Sequence, residues 1–342
     1  MPAVSADGPV LVTGATGFIG RRVVARLAGE GHRVRAFLLP SEDPAAIPQL
    51  RELAGSPRLE VVRGDVTDAA SVAAAARGAG RVVHLAAVVG DWGPDELFER
   101  INVGGTRHVL DAAAAGGAAR VLMVSSIVVY GSRLATGVCD EDAPREHGLG
   151  PYSRTKRASE ELALDYHAFG RVPVTVVRPG NVFGPGSGLW VDELARLARR
   201  GLAMWLGDGR GDASLAYVDN VVDVIVRALL HPGAAGRIYN AADAGGVSWR
   251  DYVTDVARVA GARPPHRSMP VAVAERVAAV MERAWRLTRR RTRPLLTREA
   301  VQLFASRAPV PIARARAELG YDPIPYDRAL GAVARYLEDS TV

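Results

Sequence analysis

Cysteine is nearly missing from this chain: Cys139 is the only one in 342 residues. That excludes an internal disulfide and any cage of cysteine ligands around zinc or an iron–sulfur cluster. The histidines offer no substitute anchor. His32, His84, His108, His147, His167, His231 and His266 are scattered without ligand spacing, and no metal is expected. Long apolar runs are missing as well. The longest is broken by Ser125 and Ser126, short of the roughly 18 residues a membrane helix needs. Residues 1–8 carry neither a basic nor an apolar signal segment, so we expect no secretory leader and a cytoplasmic location.

Lysine is as scarce as cysteine. Of 43 basic side chains, all but Lys156 are arginine. A bias of that kind follows codon composition, so the net charge of +6 does not point to nucleic acid, and no nucleic-acid partner is expected. It does single out position 156, where a compact ammonium is kept although a planar guanidinium serves everywhere else. The remaining composition, 48% hydrophobic and 23% charged, is that of a globular protein of one large or two fused domains.

What is present is a rhythm. Short Val- and Leu-rich runs at 10–13, 33–39, 59–62, 82–87, 120–124 and 174–178 read as strands. Helical patterns at 18–28, 69–76, 95–115 and 152–169 alternate with them. Strands apolar on both faces, alternating with helices, predict a parallel sheet covered on both sides, an α/β doubly wound architecture. After 178 the pattern changes: glycine and proline crowd 179–188, then come a helix at 191–200, a strand and helix at 215–230 and a strand at 237–240. From 248 onward the chain reads as mainly helical. We expect a dinucleotide-binding domain over 8–180, with 215–240 returning to it. A smaller substrate-binding domain is expected from 181–214 and 241–335.

Three constellations carry chemistry. Gly14, Thr16, Gly17, Phe18, Ile19 and Gly20 form a glycine turn between the first strand and the first helix. Glycine there lets the backbone turn tightly and approach a pyrophosphate, whose charge meets free N–H groups at the helix start. Tyr152 and Lys156, four residues apart, share one helical face. A phenol titrates near ~10, too high for a base at neutral pH, and a nearby ammonium is expected to lower it. Ser125 and Ser126 follow the fifth strand, where a hydroxyl at the carboxyl edge of the sheet can polarise a substrate carbonyl.

Taken together, these segments resemble the extended short-chain dehydrogenase/reductases, which share the Rossmann-type doubly wound sheet. The resemblance rests on TGATGFIG at 13–20, GDVTD at 64–68, HLAA at 84–87, NVGGT at 102–106 and SSIVVYG at 125–131. It continues through YSRTK at 152–156, RPGNVFGPG at 178–186 and YVDNVVD at 217–223. It implies a catalytic triad of Ser126, Tyr152 and Lys156, with Ser126 chosen as the second serine before the VYG segment. It also implies that Asp65 and Val66 meet the adenine, that Leu85, Ala86 and Ala87 line the cofactor, and that Pro179 and Val182 sit by the nicotinamide. Tyr152 and Lys156 would touch the cofactor too. Val88, Trp92, Ser126, Asn181 and Trp190 are the expected substrate contacts, the two tryptophans as pocket walls, and Asp219 is expected to be structural. A homodimer is implied by the family's common pairing.

Two departures refine this. Family members that bind NAD usually carry an acid at the end of the second strand; here that position is Leu38, followed by Leu39, Pro40 and Ser41. Losing the acid removes its repulsion of a 2′-phosphate, so the balance between NADP(H) and NAD(H) leans to NADP(H). The arginine with which the nucleotide-sugar branch grips a diphosphate corresponds to Ala213, with Arg210 displaced from it. Together with LTREAV at 296–301 and ARAELGYDP at 315–323, this resembles the 3β-hydroxysteroid dehydrogenase-like branch, which reduces or oxidises apolar ketones and alcohols. The alternatives are a nucleotide-sugar epimerase, dehydratase or 4-ketoreductase, and a non-catalytic dinucleotide sensor. Finally, Val273, Val277, Val280, Met281, Ala284 and Leu287 recur at helical spacing beside Arg276, Arg283, Arg286 and Arg289 to Arg291. This stretch is expected to be a lid helix packed on its own domain with a solvated basic end, the alternative being a peripheral membrane contact.

Overall fold

The computed structural model describes residues 8–288, 290 and 292–339; the first seven residues, Arg289, Arg291 and the last three lie outside the described residues. Six strands follow the expected rhythm: β1 (Val10–Thr13), β2 (Val34–Leu38), β3 (Leu59–Arg63), β4 (Arg81–His84), β5 (Arg120–Val124) and β6 (Val174–Pro179). Further along come β7 (Asn181–Phe183), β8 (Trp205–Leu206), β9 (Leu215–Tyr217), β10 (Ile238–Ala241) and β11 (Ser268–Met269). Seven of them build one sheet in the order β10-β6-β5-β4-β1-β2-β3, with every neighbouring pair parallel.

Side chains alternate across the sheet. Val10 and Val12 join one core with the helices Gly20–Gly29 and Val218–Leu230, through residues such as Leu27, Val221 and Ile225. Leu11 joins the opposite core with the helices Ala69–Ala76, Gly105–Ala115 and Pro151–Ala168, through Val72, Val109 and Ala163. The strand order reverses between β1 and β4, and a ligand crevice opens beyond the carboxyl ends of strands at such a switch point. Thr13 and His84 end those two strands, so Gly14 and Leu85 border the crevice.

A third core holds Phe183, Trp190, Trp249, Tyr252, Val333 and Leu337. It belongs to the later segments, where β7 pairs with β9 and β8 with β11. Within 215–240, the helix Val218–Leu230 and β10 sit on the main sheet, whereas β9 lies beside β7 in its own two-stranded sheet. The single helix read over 95–115 is three pieces: Asp95–Phe98, a π-helical turn Glu99–Gly104, and Gly105–Ala115. The strand read over 82–87 stops at His84, because the N–H groups of Leu85 and Ala86 turn to donate to the Thr13 hydroxyl, each at 3.2 Å.

Candidate active site

The glycine turn is shaped by close approach. Gly14 has φ 67°, and a Cβ there would lie 2.8 Å from the Ala86 nitrogen. A Cβ on Gly20 would lie 2.0 Å from the Gly14 carbonyl oxygen. Helix Gly20–Gly29 starts at Ile19 with no side-chain cap. Arg21 and Arg22 N–H donate to the Gly17 and Ile19 carbonyls at 3.1 and 3.0 Å, so an anion is met by the N–H groups of the turn just before them. Gly17 is exposed at this end, so a pyrophosphate can reach the turn. The residues present therefore fit a dinucleotide. Asp65 and Val66 follow β3: one Asp65 carboxylate oxygen accepts from Thr67 N–H at 2.8 Å, and the Val66 carbonyl meets His108 Nδ1 at 2.9 Å. Leu85, Ala86, Ala87 and Val88 form a half-buried loop after β4.

Behind the turn, a chain of hydrogen bonds fixes one histidine tautomer. The Thr106 hydroxyl donates to the Asn102 carbonyl at 2.5 Å, so His84 Nε2–H donates to Thr106 at 3.0 Å. Thr13, already accepting from two backbone N–H groups, donates to His84 Nδ1 at 2.8 Å. Burial pulls His84 down to about 3, and Lys156 adds to that, so the ring stays neutral.

The two adjacent serines have different work. Ser125 is buried and donates to Glu160 Oε2 at 2.6 Å, inside a network in which the buried Glu160 and Arg178 pair at 2.6 Å. Ser126 accepts the N–H of Val128 at 3.3 Å and stands beside Tyr152, at the head of helix Pro151–Ala168, where it favours the ionised phenol. Lys156 is buried one turn further on. Its ammonium donates to the Val124 carbonyl at 2.8 Å and lies 5.9 Å from the centre of the Tyr152 ring.

The electrostatics correct one expectation. Lys156 was expected to pull the phenol down, but burial pushes Tyr152 well above its ordinary value; Ser126 opposes this and Glu299 adds to it. The ammonium is turned to a carbonyl and is itself pulled down to about 8 by burial, against the raising effect of Glu160. The phenol is thus a held proton, an acid awaiting an acceptor.

The remaining expected residues are placed as follows. Pro179 ends β6 beside Ala241, and Val182 in β7 touches both the first and the third cores. Val88 is clamped by Asn102, whose side-chain oxygen accepts its N–H at 2.8 Å and whose amide donates to its carbonyl at 3.1 Å. Trp92 is half-buried, with the Arg286 guanidinium 5.5 Å from its ring centre. Asn181 turns its amide to the Ala213 carbonyl at 2.7 Å, so it holds β7 to β9 rather than standing free. Trp190 is packed between Trp249 and Phe304, with ring centroids at 5.6 and 5.4 Å; it is core, not a pocket wall, because its apolar surface is already covered. Asp219 pairs with Arg22 at 3.5 Å.

Four residues that sequence reasoning did not single out belong to this neighbourhood. Glu42 reaches back to the glycine turn: it accepts from the Thr16 hydroxyl at 2.6 Å and from Leu39 N–H at 2.8 Å. Asn102, in the π-helical turn, links Val88 to Thr155, to which its amide donates at 3.0 Å. Asp91 accepts from Arg293 through both oxygens at 2.5 Å and from Thr297 at 2.6 Å. Glu299 accepts the N–H of Ser153 at 3.0 Å, while its other oxygen is buried with no hydrogen-bond partner among the described residues; burial pushes this carboxyl up to about 7. NVGGT and LTREAV contain Asn102 and Glu299 and were the signals available; nothing local marks Glu42 or Asp91.

A parallel sheet with its crevice at the switch point, a glycine turn built for a pyrophosphate and a tyrosine poised above a buried lysine define a dinucleotide-dependent enzyme. The model of the NAD dependent epimerase/dehydratase family matches residues 10–242. The chain belongs to that family, as an extended short-chain dehydrogenase/reductase of the 3β-hydroxysteroid dehydrogenase-like branch. It is 30% identical over 321 residues to a 2-alkyl-3-oxoalkanoate reductase of Stenotrophomonas maltophilia, covering 92% of this chain and 94% of that one. It is 31% identical over 335 residues to a 3 beta-hydroxysteroid dehydrogenase/Delta 5-->4-isomerase of Mycobacterium tuberculosis, covering 93% and 86%. Among solved structures, MoeE5 in complex with UDP-glucose and NAD superimposes with a TM-score of 0.75 at 27% identity, covering 98% of this chain and all of that one.

Proposed function

We propose that the protein reduces an apolar ketone, or oxidises the corresponding secondary alcohol, through Ser126, Tyr152 and Lys156. The placement of Tyr152 beside Ser126, with the buried Lys156 ammonium 5.9 Å from its ring centre, carries this reading. A bound nicotinamide supplies or accepts the hydride. The Tyr152 hydroxyl gives its proton to the carbonyl oxygen as that oxygen becomes an alcohol, and takes it back in the oxidative direction. Ser126, held against Tyr152, is placed to donate to the same oxygen and raise its electrophilic character. Lys156 keeps a positive charge beneath the ring, and its ammonium would meet the nicotinamide ribose.

The glycine turn, Asp65 and the 85–87 loop would hold the dinucleotide, and the family is NAD-dependent. Of the two cofactors, NAD(H) is the better fit. The lean to NADP(H) rested on an acid-free strand end, but Glu42 brings its carboxylate to Thr16 from four residues beyond β2. A carboxylate there accepts from ribose hydroxyls and repels a 2′-phosphate.

For the substrate, Ala213 supports the apolar reading. It is fully buried in the third core with Trp190 and Trp249 for neighbours, and Arg210 is exposed elsewhere. A diphosphate would find no fork to hold it at that point. The substrate class that fits is steroid-, polyketide- or 3-ketoacyl-like; the alternative is a nucleotide sugar. NADH oxidation measured with a 2-alkyl-3-oxoalkanoate and with a nucleotide 4-keto sugar separates them. Turnover on the first and none on the second is expected, and the reverse pattern overturns the assignment. By analogy with its relatives the enzyme works as a homodimer, which light scattering checks directly.

A further inference from the structure

The helix Val271–Leu287 packs on the protein through one face, where the part-buried Val271, Met281 and Trp285 lie with smaller neighbours. Ala274, Ala278 and Glu282 are buried, and Ala274 and Ala278 form a small cluster with Val301. A second set of apolar side chains points the other way. Val273, Val277, Val280, Ala284 and Leu287, at successive steps of four and three residues, form one stripe along the solvent face. Val280 is 69% exposed and Leu287 76%. The helix therefore packs on the protein through its other face and leaves this apolar stripe uncovered.

The rim of this stripe is cationic. Arg276 and Arg283 run along one flank, both exposed, while Glu275 falls on the far side of the helix and Glu282 is buried against Arg298 at 3.0 Å. At the helix start the cationic surface continues into a groove of about 390 Å³. Arg199, Arg263, His266 and Arg267 line it, with no carboxylate among its lining residues. Arg263 and Arg267 make no ion pair among the described residues. Leu202 and Met204, both exposed, alternate with the groove residues Gly201 and Ala203. Arg267 leads through β11 directly into the helix. Exposed apolar side chains and arginines thus occur together along the helix and again at the groove that precedes it in the chain, and no helix of the described residues is long and apolar enough to cross a membrane.

We propose that this face docks the enzyme on an anionic lipid bilayer, with the valine–leucine stripe entering the headgroup region and the arginines meeting lipid phosphates. An amphipathic helix with a basic flank lies in the plane of a bilayer in this way. A second copy of the chain is a poorer occupant: two-fold pairing through the stripe sets one arginine rim against another, and like charges in apposition oppose association.

Flotation with vesicles of phosphatidylcholine, and of phosphatidylcholine mixed with phosphatidylglycerol, tests this. The wild-type protein is expected to float with the mixed vesicles, much less with phosphatidylcholine alone, and to be released by added salt. The pair Val280→Asp with Leu287→Asp, and separately Arg263→Glu with Arg267→Glu, should each weaken binding by about tenfold or more. All four sites are exposed, so the unfolding midpoint should not move. The proposal is overturned if the wild type does not float with the mixed vesicles, or if both variants float as it does. It is equally overturned if the aspartate pair turns a wild-type dimer into a monomer, since the stripe then belongs to a copy–copy interface.

Discussion

Lys156 shows how much a single retained residue can report. Buried beside Glu160, with its ammonium on the Val124 carbonyl, it is charged below about pH 8 and neutral above. Tyr152 stays protonated through that range, because burial raises rather than lowers it. The reductive kcat/KM is therefore expected to fall above about pH 8, by about tenfold per pH unit, as the ammonium is lost. A profile flat through the alkaline range contradicts the role given to Lys156. Glu42 makes a second test at this scale. Replacing it with alanine removes the charge beside Thr16 and should narrow the preference for NADH over NADPH by roughly tenfold in dissociation constant, read by nicotinamide fluorescence. An unchanged ratio places the ribose elsewhere. Neither the Tyr152 direction nor Glu42 was legible in the sequence. Spacing put the lysine near the tyrosine but said nothing of burial, and Glu42 reaches Thr16 only through a loop that folds back from β2.

At the scale of elements, the helix Pro151–Ala168 is held by carboxylates at its start and in its middle. Glu160 binds it to β5 and β6 through Ser125 and Arg178, both buried. Glu299, on the helix Arg298–Phe304, accepts the Ser153 N–H in its first turn and raises Tyr152. Between pH 4.5 and about 7 the folded Glu299 binds its proton more readily than the unfolded one. Stability is therefore lost as pH rises through that window, and the full cost stands above it. Glu299→Gln keeps the oxygen that accepts from Ser153 and removes the charge. The variant should be more stable than wild type at about pH 8, by of order 1–3 kcal/mol, with the gain vanishing near pH 4.5. Thermal unfolding at the two pH values checks it, and an equal difference at both would show that the carboxyl does not titrate there. The helix itself was legible from its period; the partner at residue 299 is far away in sequence and carries no local mark.

Over the whole molecule, the alternation of strands and helices and the glycine turn made the doubly wound sheet readable before any coordinates. The apolar runs of β1 to β6 are short and separated by helical spacing, and β1, β5 and β6 are buried on both faces, whereas β3 at the sheet edge is not. What could not be read is how the later segments close on the first. Asp91, in the loop after β4, is latched by Arg293 and Thr297, and Glu299, two residues later, accepts from Ser153 at the head of the helix Pro151–Ala168. These contacts join parts of the chain 146 to 206 residues apart, which no local pattern encodes. Trp190 illustrates the same limit: its place between Trp249 and Phe304 depends on two helices that fold against it from elsewhere. The central claim is hydride transfer to a ketone with Tyr152 as the proton donor. The most direct test follows deuterium from NADH labelled at the nicotinamide C4 position into the product of an apolar ketone, with wild type and Tyr152→Phe side by side. The account predicts label on the carbinol carbon, and a Phe variant at least about a hundredfold slower that binds NADH as the wild type does. Product without label, or a Phe variant at the wild-type rate, would contradict it.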